Sequence, residues 1–144
     1  MSQMGDGDGD GALVGIVAVS HSPRIAEGVV ELVREVSDPD LAIAGVGGTA
    51  EGLLGNDAMA VLDAIERTDR GAGVVVVVDI GSAVYATRAA LEILGPERAA
   101  RVRLSGGPLV EGALIAVIQA STGAGLDEVV AAADGASQLD KLAR

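Results

Sequence analysis

The stretch that decides the fold is residues 74–81, which read V-V-V-V-V-D-I-G. Five consecutive valines without a polar position predict a strand that is buried on both faces. Strands of this kind belong to parallel sheets that helices cover on both sides. Asp79 ends the predicted strand, and Ser82 is expected to cap the helix that follows.

Apolar runs and helical patterns alternate on either side of this stretch. Strands are predicted over residues 13–19, 41–44, 74–78 and 101–105, the last as an edge strand. Ser22-Pro23 predicts a cap and first residue of one helix, and Asn56 or Asp57 the cap of the next. The order βαβαβαβα(α) predicts an α/β fold: a single doubly wound, mostly parallel sheet with helices on both faces.

The composition excludes several classes of function. The chain has 144 residues, which suits one domain, and 49% of them are hydrophobic but only 1% aromatic. Aromatic platforms for stacking nucleic-acid bases are therefore absent, and a net charge of −11 disfavours any phosphate-backbone partner. With no cysteine, the chain has no thiol nucleophile and no cysteine-ligated metal.

Three segments are expected along the chain. Residues 1–12 form a Gly/Asp-rich tail that we predict to be disordered, residues 13–135 the folded domain, and residues 136–144 a C-terminal tail. No apolar run is long enough for a membrane helix and no signal-peptide pattern is present, so the sequence predicts a cytoplasmic protein without a membrane partner.

The first tail contains an incomplete calcium motif. Asp6, Asp8, Asp10 and Gly11 match the opening D-x-D-x-D-G of an EF-hand loop. The twelfth position of that loop needs a bidentate acid, and it is Val17 here. We therefore expect no calcium site and no other metal.

The loops that leave the strands are the places to look for chemistry, because ligands of such sheets bind beyond the carboxyl ends of the strands. His21, the only histidine of the chain, follows the first strand, and Asp79 follows the third. Asp79 could instead be a turn residue or a helix cap. If the two strands are neighbours, however, Asp79 faces His21. A carboxylate that holds one nitrogen of an imidazole leaves the other nitrogen free as a nucleophile.

Accepting a phosphoryl group is the chemistry that suits such a histidine. Catalysis of phosphoryl transfer is mostly positioning plus hydrogen-bond donors. Helix N-termini favour anions, so the groups around Ser22, Gly81 and Ser82 are candidates for binding the phosphate.

Competing motifs are incomplete. Residues 45–50 match a dinucleotide fingerprint, but no helical pattern follows them directly. A Walker A loop and the acid cluster and lysine of a receiver domain are missing. A Ser-His-Asp triad could use Ser20, Ser22 or Ser82, although a serine adjacent to the histidine in sequence gives poor geometry.

Five segments together resemble a known family: VAVSHSPRIAEGVVELV, GNDAMAVLDAIE, VVVVVDIGSAVYATRAALEIL, VRLSGGPLVEGALIAVIQASTGA and LDEV. They are similar to the phosphotransfer subunit of phosphoenolpyruvate-dependent dihydroxyacetone kinase, which in turn resembles the enzyme IIA domain of the mannose-type phosphotransferase system. The V-S-H-S, D-x-G-S-A and P-L-V-E-G motifs in this order are specific as a set.

The resemblance implies residue roles. His21 matches the phosphorylated histidine and Asp79 the acid that supports it. Gly55 and Asn56 match a phosphate-binding Gly-Thr turn, with asparagine in place of the usual threonine.

The resemblance also implies partners. An HPr-type phosphocarrier, expected to be a separate protein, would donate the phosphate. The acceptor would be ADP on a nucleotide-binding kinase subunit that works with a dihydroxyacetone-binding subunit. A homodimer is implied, and no cofactor. Two alternatives stay open, a mannose-type sugar transporter IIA protein and a tetrapyrrole metal chelatase.

Overall fold

A computed structural model describes residues 11–143. It contains four strands, six α-helices and a final 3₁₀ turn within those residues. The strands are β1 (Gly15–Ser20), β2 (Ile43–Gly47), β3 (Val74–Val78) and β4 (Val102–Leu104). The helices are α1 (Pro23–Arg34), α2 (Ala58–Thr68), α3 (Gly81–Leu94), α4 (Pro96–Ala99), α5 (Leu109–Ser121) and α6 (Leu126–Gly135), and the 3₁₀ turn is Ala136–Gln138.

The four strands form one parallel sheet in the order β2-β1-β3-β4. The predicted α/β class with a parallel sheet is thereby confirmed. The first and third strands are neighbours, and their register pairs Val19 with Val78. This register places Ser20 beside Asp79 where both strands end.

Helices cover both faces of the sheet. Val75 and Val77 belong to the apolar cluster that includes α1, α5 and α6. Val74, Val76 and Val78 belong to the other cluster, with α2 and α3. Successive side chains of a strand point to opposite faces, so both faces of the five-valine strand are buried, as its sequence predicts.

The second strand was predicted incorrectly: it runs from Ile43 to Gly47 rather than over residues 41–44. Its glycines lie against α1. A Cβ on Gly45 would lie 2.8 Å from the carbonyl oxygen of Ala26, and one on Gly47 would lie 2.5 Å from that of Ser22. The glycines let the start of α1 pack directly on the strand, and packing here outweighs the low strand propensity of glycine.

The other strand boundaries shift less. β1 begins at Gly15 and ends at Ser20, and β4 covers only Val102–Leu104 at the edge of the sheet.

The helix starts are a mixed outcome. Ser22 caps α1 and Pro23 is its first residue, as predicted. Asp57 rather than Asn56 caps α2, since its carboxylate accepts a hydrogen bond from the N–H of Met59. The prediction that Ser82 caps α3 is wrong, because the helix begins at Gly81 and Ile80 holds the cap position.

The predicted tails are only partly described. Residues 1–10, with the aspartates of the calcium motif and the predicted disorder, lie outside the described residues. At the other end Ala136 is buried, and Lys141 forms an ion pair with Glu111 of α5. Within residues 11–143, no helix has both the length and the apolar character needed to cross a membrane.

Candidate functional site

Three loops meet at the carboxyl edge of the sheet. The loop after β1 contains His21, and its carbonyl oxygen accepts a hydrogen bond of 2.8 Å from the N–H of Gly55 in the loop after β2. Gly55 has a φ of 139°, a conformation that side chains disfavour. The loop after β3 supplies Asp79 and Ser82. The structure therefore brings together the residues that the sequence singled out.

Asp79 and Ser20 hold the backbone of His21. The Ser20 hydroxyl donates to Asp79 Oδ2 at 2.8 Å, and the backbone N–H of His21 donates to the same oxygen at 3.0 Å. The N–H of Ser22 donates in turn to the Ser20 oxygen at 3.0 Å, and Ile80 N–H to Asp79 Oδ1 at 2.7 Å. We call the arrangement of Ser20, Asp79 and these backbone groups the strand-end clamp.

The imidazole ring has a different partner. His21 Nδ1 lies 3.3 Å from the hydroxyl oxygen of Ser82, and the hydrogen bonds of Asp79 go to the backbone and to Ser20. The contact at the ring that the sequence analysis assigned to Asp79 is thus made by Ser82. The strand register places the carboxylate of Asp79 at the backbone N–H of His21 and not at its ring.

Asn56 connects the second and third loops. Its amide nitrogen donates to the carbonyl oxygen of Ser20 at 2.8 Å, and its amide oxygen accepts from the Ser82 hydroxyl at 2.8 Å. The side chains of Asn56 and Ser82 are therefore engaged with each other.

The remaining candidates are Ser22, whose N–H is already bonded to Ser20, and the backbone of Gly81 and Ser82. The Ser22 hydroxyl accepts from the N–H of Ile25, at 3.3 Å, as a helix cap. Gly81 and Ser82 lie in the first turn of α3, where N–H groups have no acceptor within the helix. Such groups are the donors at this edge that suit an anion.

Asp79 is not paired with a cation. Within residues 11–143 the ion pairs use other carboxylates, and the clamp surrounds Asp79 with one O–H and two N–H donors. No group of three or more His, Asp or Glu side chains in this part of the chain could hold a metal ion.

Ser20 is the residue that the sequence analysis missed, since it was considered only as a triad nucleophile. A signal was present in the sequence: Ser20-His21-Ser22-Pro23 and Ser105-Gly106-Gly107-Pro108 both read S-x-x-P after a strand. The second motif forms an equivalent clamp, in which the Ser105 hydroxyl donates to Asp134 at 2.6 Å and Gly106 N–H to the same oxygen at 3.2 Å.

Comparison with known proteins gives relatives of one kind. The chain is 44% identical over 121 residues to the phosphoryl donor subunit DhaM of the PEP-dependent dihydroxyacetone kinase of Escherichia coli (strain K12), and covers 26% of that protein. It is 36% identical over 107 residues to the subunit DhaM of PEP-dependent dihydroxyacetone kinase 2 of Listeria innocua serovar 6a, and covers 86% of it. The chain thus spans about a quarter of the length of the first relative and most of the second.

Solved structures share the fold. A crystal structure of a protein of unknown function, EF1359, matches with a TM-score of 0.75 at 32% identity, over 85% of this chain and 93% of the other. The model of the EIIA-man family, described as the PTS system fructose IIA component, matches residues 15–130, which include every site residue described above. On the fold, the site and this match, the chain belongs to the EIIA-man family.

Proposed function

We propose that the chain is a phosphohistidine relay unit of a phosphoenolpyruvate-dependent dihydroxyacetone kinase. The observation on which this rests is His21, half-buried at the edge of the sheet, with its backbone fixed by the clamp and its ring held at one nitrogen by Ser82. A ring held on one side leaves the other nitrogen to act as a nucleophile. The relatives named as phosphoryl donor subunits support the choice of this kinase.

The proposed relay has two steps. A ring nitrogen of His21 attacks the phosphorus of a phosphohistidine on an HPr-type carrier; a new N–P bond forms and the carrier's N–P bond breaks. The phosphoryl group then passes to a terminal phosphate oxygen of ADP on the nucleotide-binding subunit, which releases His21 and gives ATP. That subunit phosphorylates dihydroxyacetone on its partner subunit. Backbone N–H groups at Asn56, Gly81 and Ser82 are the proposed donors to the phosphate, while the N–H of Gly55 holds the carbonyl oxygen of His21.

Exposed apolar side chains support docking of protein partners. Leu53 and Leu54 are each 66% exposed in the loop that contacts His21, and Ile80 beside Asp79 is 53% exposed. Apolar patches next to a reactive group are typical of protein–protein contacts. We propose that both partners bind here in turn, in the cytoplasm. The homodimer that the resemblance implies remains a proposal, which light scattering of the purified protein tests.

Phosphorylation in a reconstituted system tests the relay. With phosphoenolpyruvate, enzyme I and HPr, the wild-type chain is expected to gain one phosphoryl group that is labile in acid and stable in base. His21→Ala is expected to abolish the label. An acid-stable label, or a label that persists in His21→Ala, would place the phosphate elsewhere.

The acceptor needs its own experiment, because the family description names a sugar-system IIA component. A mannose-type sugar IIA protein is therefore the second candidate. The phosphorylated chain is mixed either with the two kinase subunits, ADP and dihydroxyacetone, or with a sugar-specific IIB protein. We expect catalytic formation of dihydroxyacetone phosphate in the first mixture, while transfer only to the IIB protein would favour the sugar system.

A further inference from the structure

We infer that Asn56 and Ser82 set the tautomer of His21, so that Nδ1 holds the proton and Nε2 is the free nucleophile. The inference concerns the same site and rests on the proposed function for its catalytic consequence. The physical argument begins at the carbonyl oxygen of Ser20, which can only accept hydrogen bonds.

The orientation of the Asn56 amide follows from this carbonyl. The side-chain atom 2.8 Å from the Ser20 oxygen must be the NH₂ group, because two acceptors at that distance would repel each other. The other end of the amide, which faces Ser82, is then the oxygen Oδ1, and it too can only accept.

The hydroxyl proton of Ser82 can be donated to only one of two neighbours, Asn56 or His21. Ser82 Oγ lies 2.8 Å from Asn56 Oδ1 and 3.3 Å from His21 Nδ1, and a hydroxyl has one proton. Since Oδ1 requires a donor, that proton lies between Ser82 and Asn56. The lone pairs of Ser82 therefore face the ring, and Nδ1 must be the donor to them.

The position of this proton decides which ring nitrogen of His21 is the nucleophile. In a neutral imidazole one nitrogen is a donor and the other has the free lone pair. With Nδ1 protonated, the lone pair is on Nε2, which attacks phosphorus. His21 is the catalytic residue in this scheme, while Asn56 and Ser82 are positioning residues that act through its protonation.

Nitrogen NMR of the unphosphorylated protein tests the tautomer directly. The chain has a single histidine, so a ¹⁵N-labelled, tag-free sample gives the signals of one imidazole. A ring nitrogen without a proton, called bare below, has a ¹⁵N chemical shift far from that of an N–H nitrogen. Its couplings to the two ring C–H protons distinguish Nδ1 from Nε2. At about pH 8.5, where imidazole is neutral, we expect the bare nitrogen to be Nε2. A bare Nδ1 in the wild type would overturn the inference.

Two variants remove the two positioning residues. Ser82→Ala deletes the acceptor at Nδ1, and Asn56→Leu deletes the acceptor that holds the Ser82 proton, which frees that hydroxyl to donate to the ring. Both are expected to raise the population with the proton on Nε2. The rate of phosphorylation by phospho-HPr should fall with the remaining Nδ1–H fraction, roughly tenfold if one molecule in ten keeps it.

Ser105→Ala is the matched control. It removes a strand-end hydroxyl that contacts Asp134 and not the ring, so the tautomer and the rate should stay as in the wild type.

An unchanged tautomer in both Ser82→Ala and Asn56→Leu would overturn the inference, as would a shifted tautomer with an unchanged rate. If instead the wild type has a bare Nε2 and is never phosphorylated, the proposed function fails and the tautomer assignment stands.

Discussion

At the scale of single residues, comparing the two strand-end clamps shows which part of the arrangement is structural and which part is chemical. Ser20 with Asp79 and Ser105 with Asp134 make the same pattern of hydrogen bonds to the two residues that follow each serine. Only in the first clamp is the residue after the serine a histidine. We infer that a carboxylate here serves first to fix the backbone, and that the residue it fixes decides whether the position does chemistry.

The pair of clamps gives a controlled test of Asp79. Asp79→Asn and Asp134→Asn each replace charge-assisted hydrogen bonds by neutral ones, so each is expected to lower the free energy of unfolding by about 1–2 kcal/mol. Only Asp79→Asn should also slow phosphorylation of His21, because only that clamp holds the histidine. Urea denaturation and phosphorylation rates measure the two effects. A wild-type rate in Asp79→Asn would remove Asp79 from the mechanism, and an equal loss of rate in both variants would attribute it to stability alone.

At the scale of elements, the site depends on how closely α1 packs on β2. Gly45 and Gly47 leave no side chain between the strand and the first turn of the helix. Ser22, which caps that helix, is adjacent to His21. The position of the histidine is therefore set by a contact between a helix and a strand as well as by the clamp.

Two glycine substitutions test this packing. In Gly47→Ala the new Cβ would lie 2.5 Å from the carbonyl oxygen of Ser22, so the helix start must move. We expect a loss of about 1–3 kcal/mol in unfolding free energy and slower phosphorylation of His21. Both quantities are measured by thermal or urea unfolding and by the transfer assay.

Gly28→Ala is the control for Gly47→Ala. Gly28 lies within α1, and a Cβ there would meet no atom within 4 Å. Alanine has the higher helix propensity, so stability should rise by about 0.5–1 kcal/mol with the transfer rate unchanged. Equal stability of Gly47→Ala and the wild type would contradict the packing argument.

At the scale of the whole molecule, the arginine ion pairs lie outside the site. Within residues 11–143, four arginine ion pairs involve none of the site residues: Arg67–Asp63, Arg98–Glu66, Arg101–Asp69 and Arg103–Asp127. Both partners are exposed in all of them except Arg101–Asp69, in which the Asp69 side chain is 12% exposed. Exposed pairs of this kind contribute little to stability. None of these pairs brings a cation to Asp79, whose carboxylate accepts hydrogen bonds from one O–H and two N–H groups.

The only lysine of the chain connects its C-terminal segment to α5. The hydrogen bond and charge of Lys141 hold the pKa of Glu111 below its ordinary value. A carboxyl group whose pKa is lowered on folding contributes stability above its unfolded pKa and loses that contribution as the pH falls through its folded pKa. Lys141→Gln should raise the pKa of Glu111, as measured by carbon NMR of its carboxylate. It should also lower stability at neutral pH and match the wild type in acid, and a Glu111 pKa unaffected by the substitution would refute the pairing.

The sequence alone determined the fold class, the central strand and the histidine, because these depend on local patterns. Five valines require two covering layers, Ser22-Pro23 specifies a helix start, and the chain has one imidazole. The parallel sheet follows from the alternation of strands and helices.

The tertiary structure decided which side chain meets which. The Val19–Val78 register places Ser20 against Asp79, and the approach of three loops places Ser82 and Asn56 at the ring. Contacts between residues distant in the chain depend on register and packing, where a shift of one residue reverses every side chain of a strand. The same physical reason explains β2: the packed helix α1 makes Gly45 and Gly47 suitable for a strand.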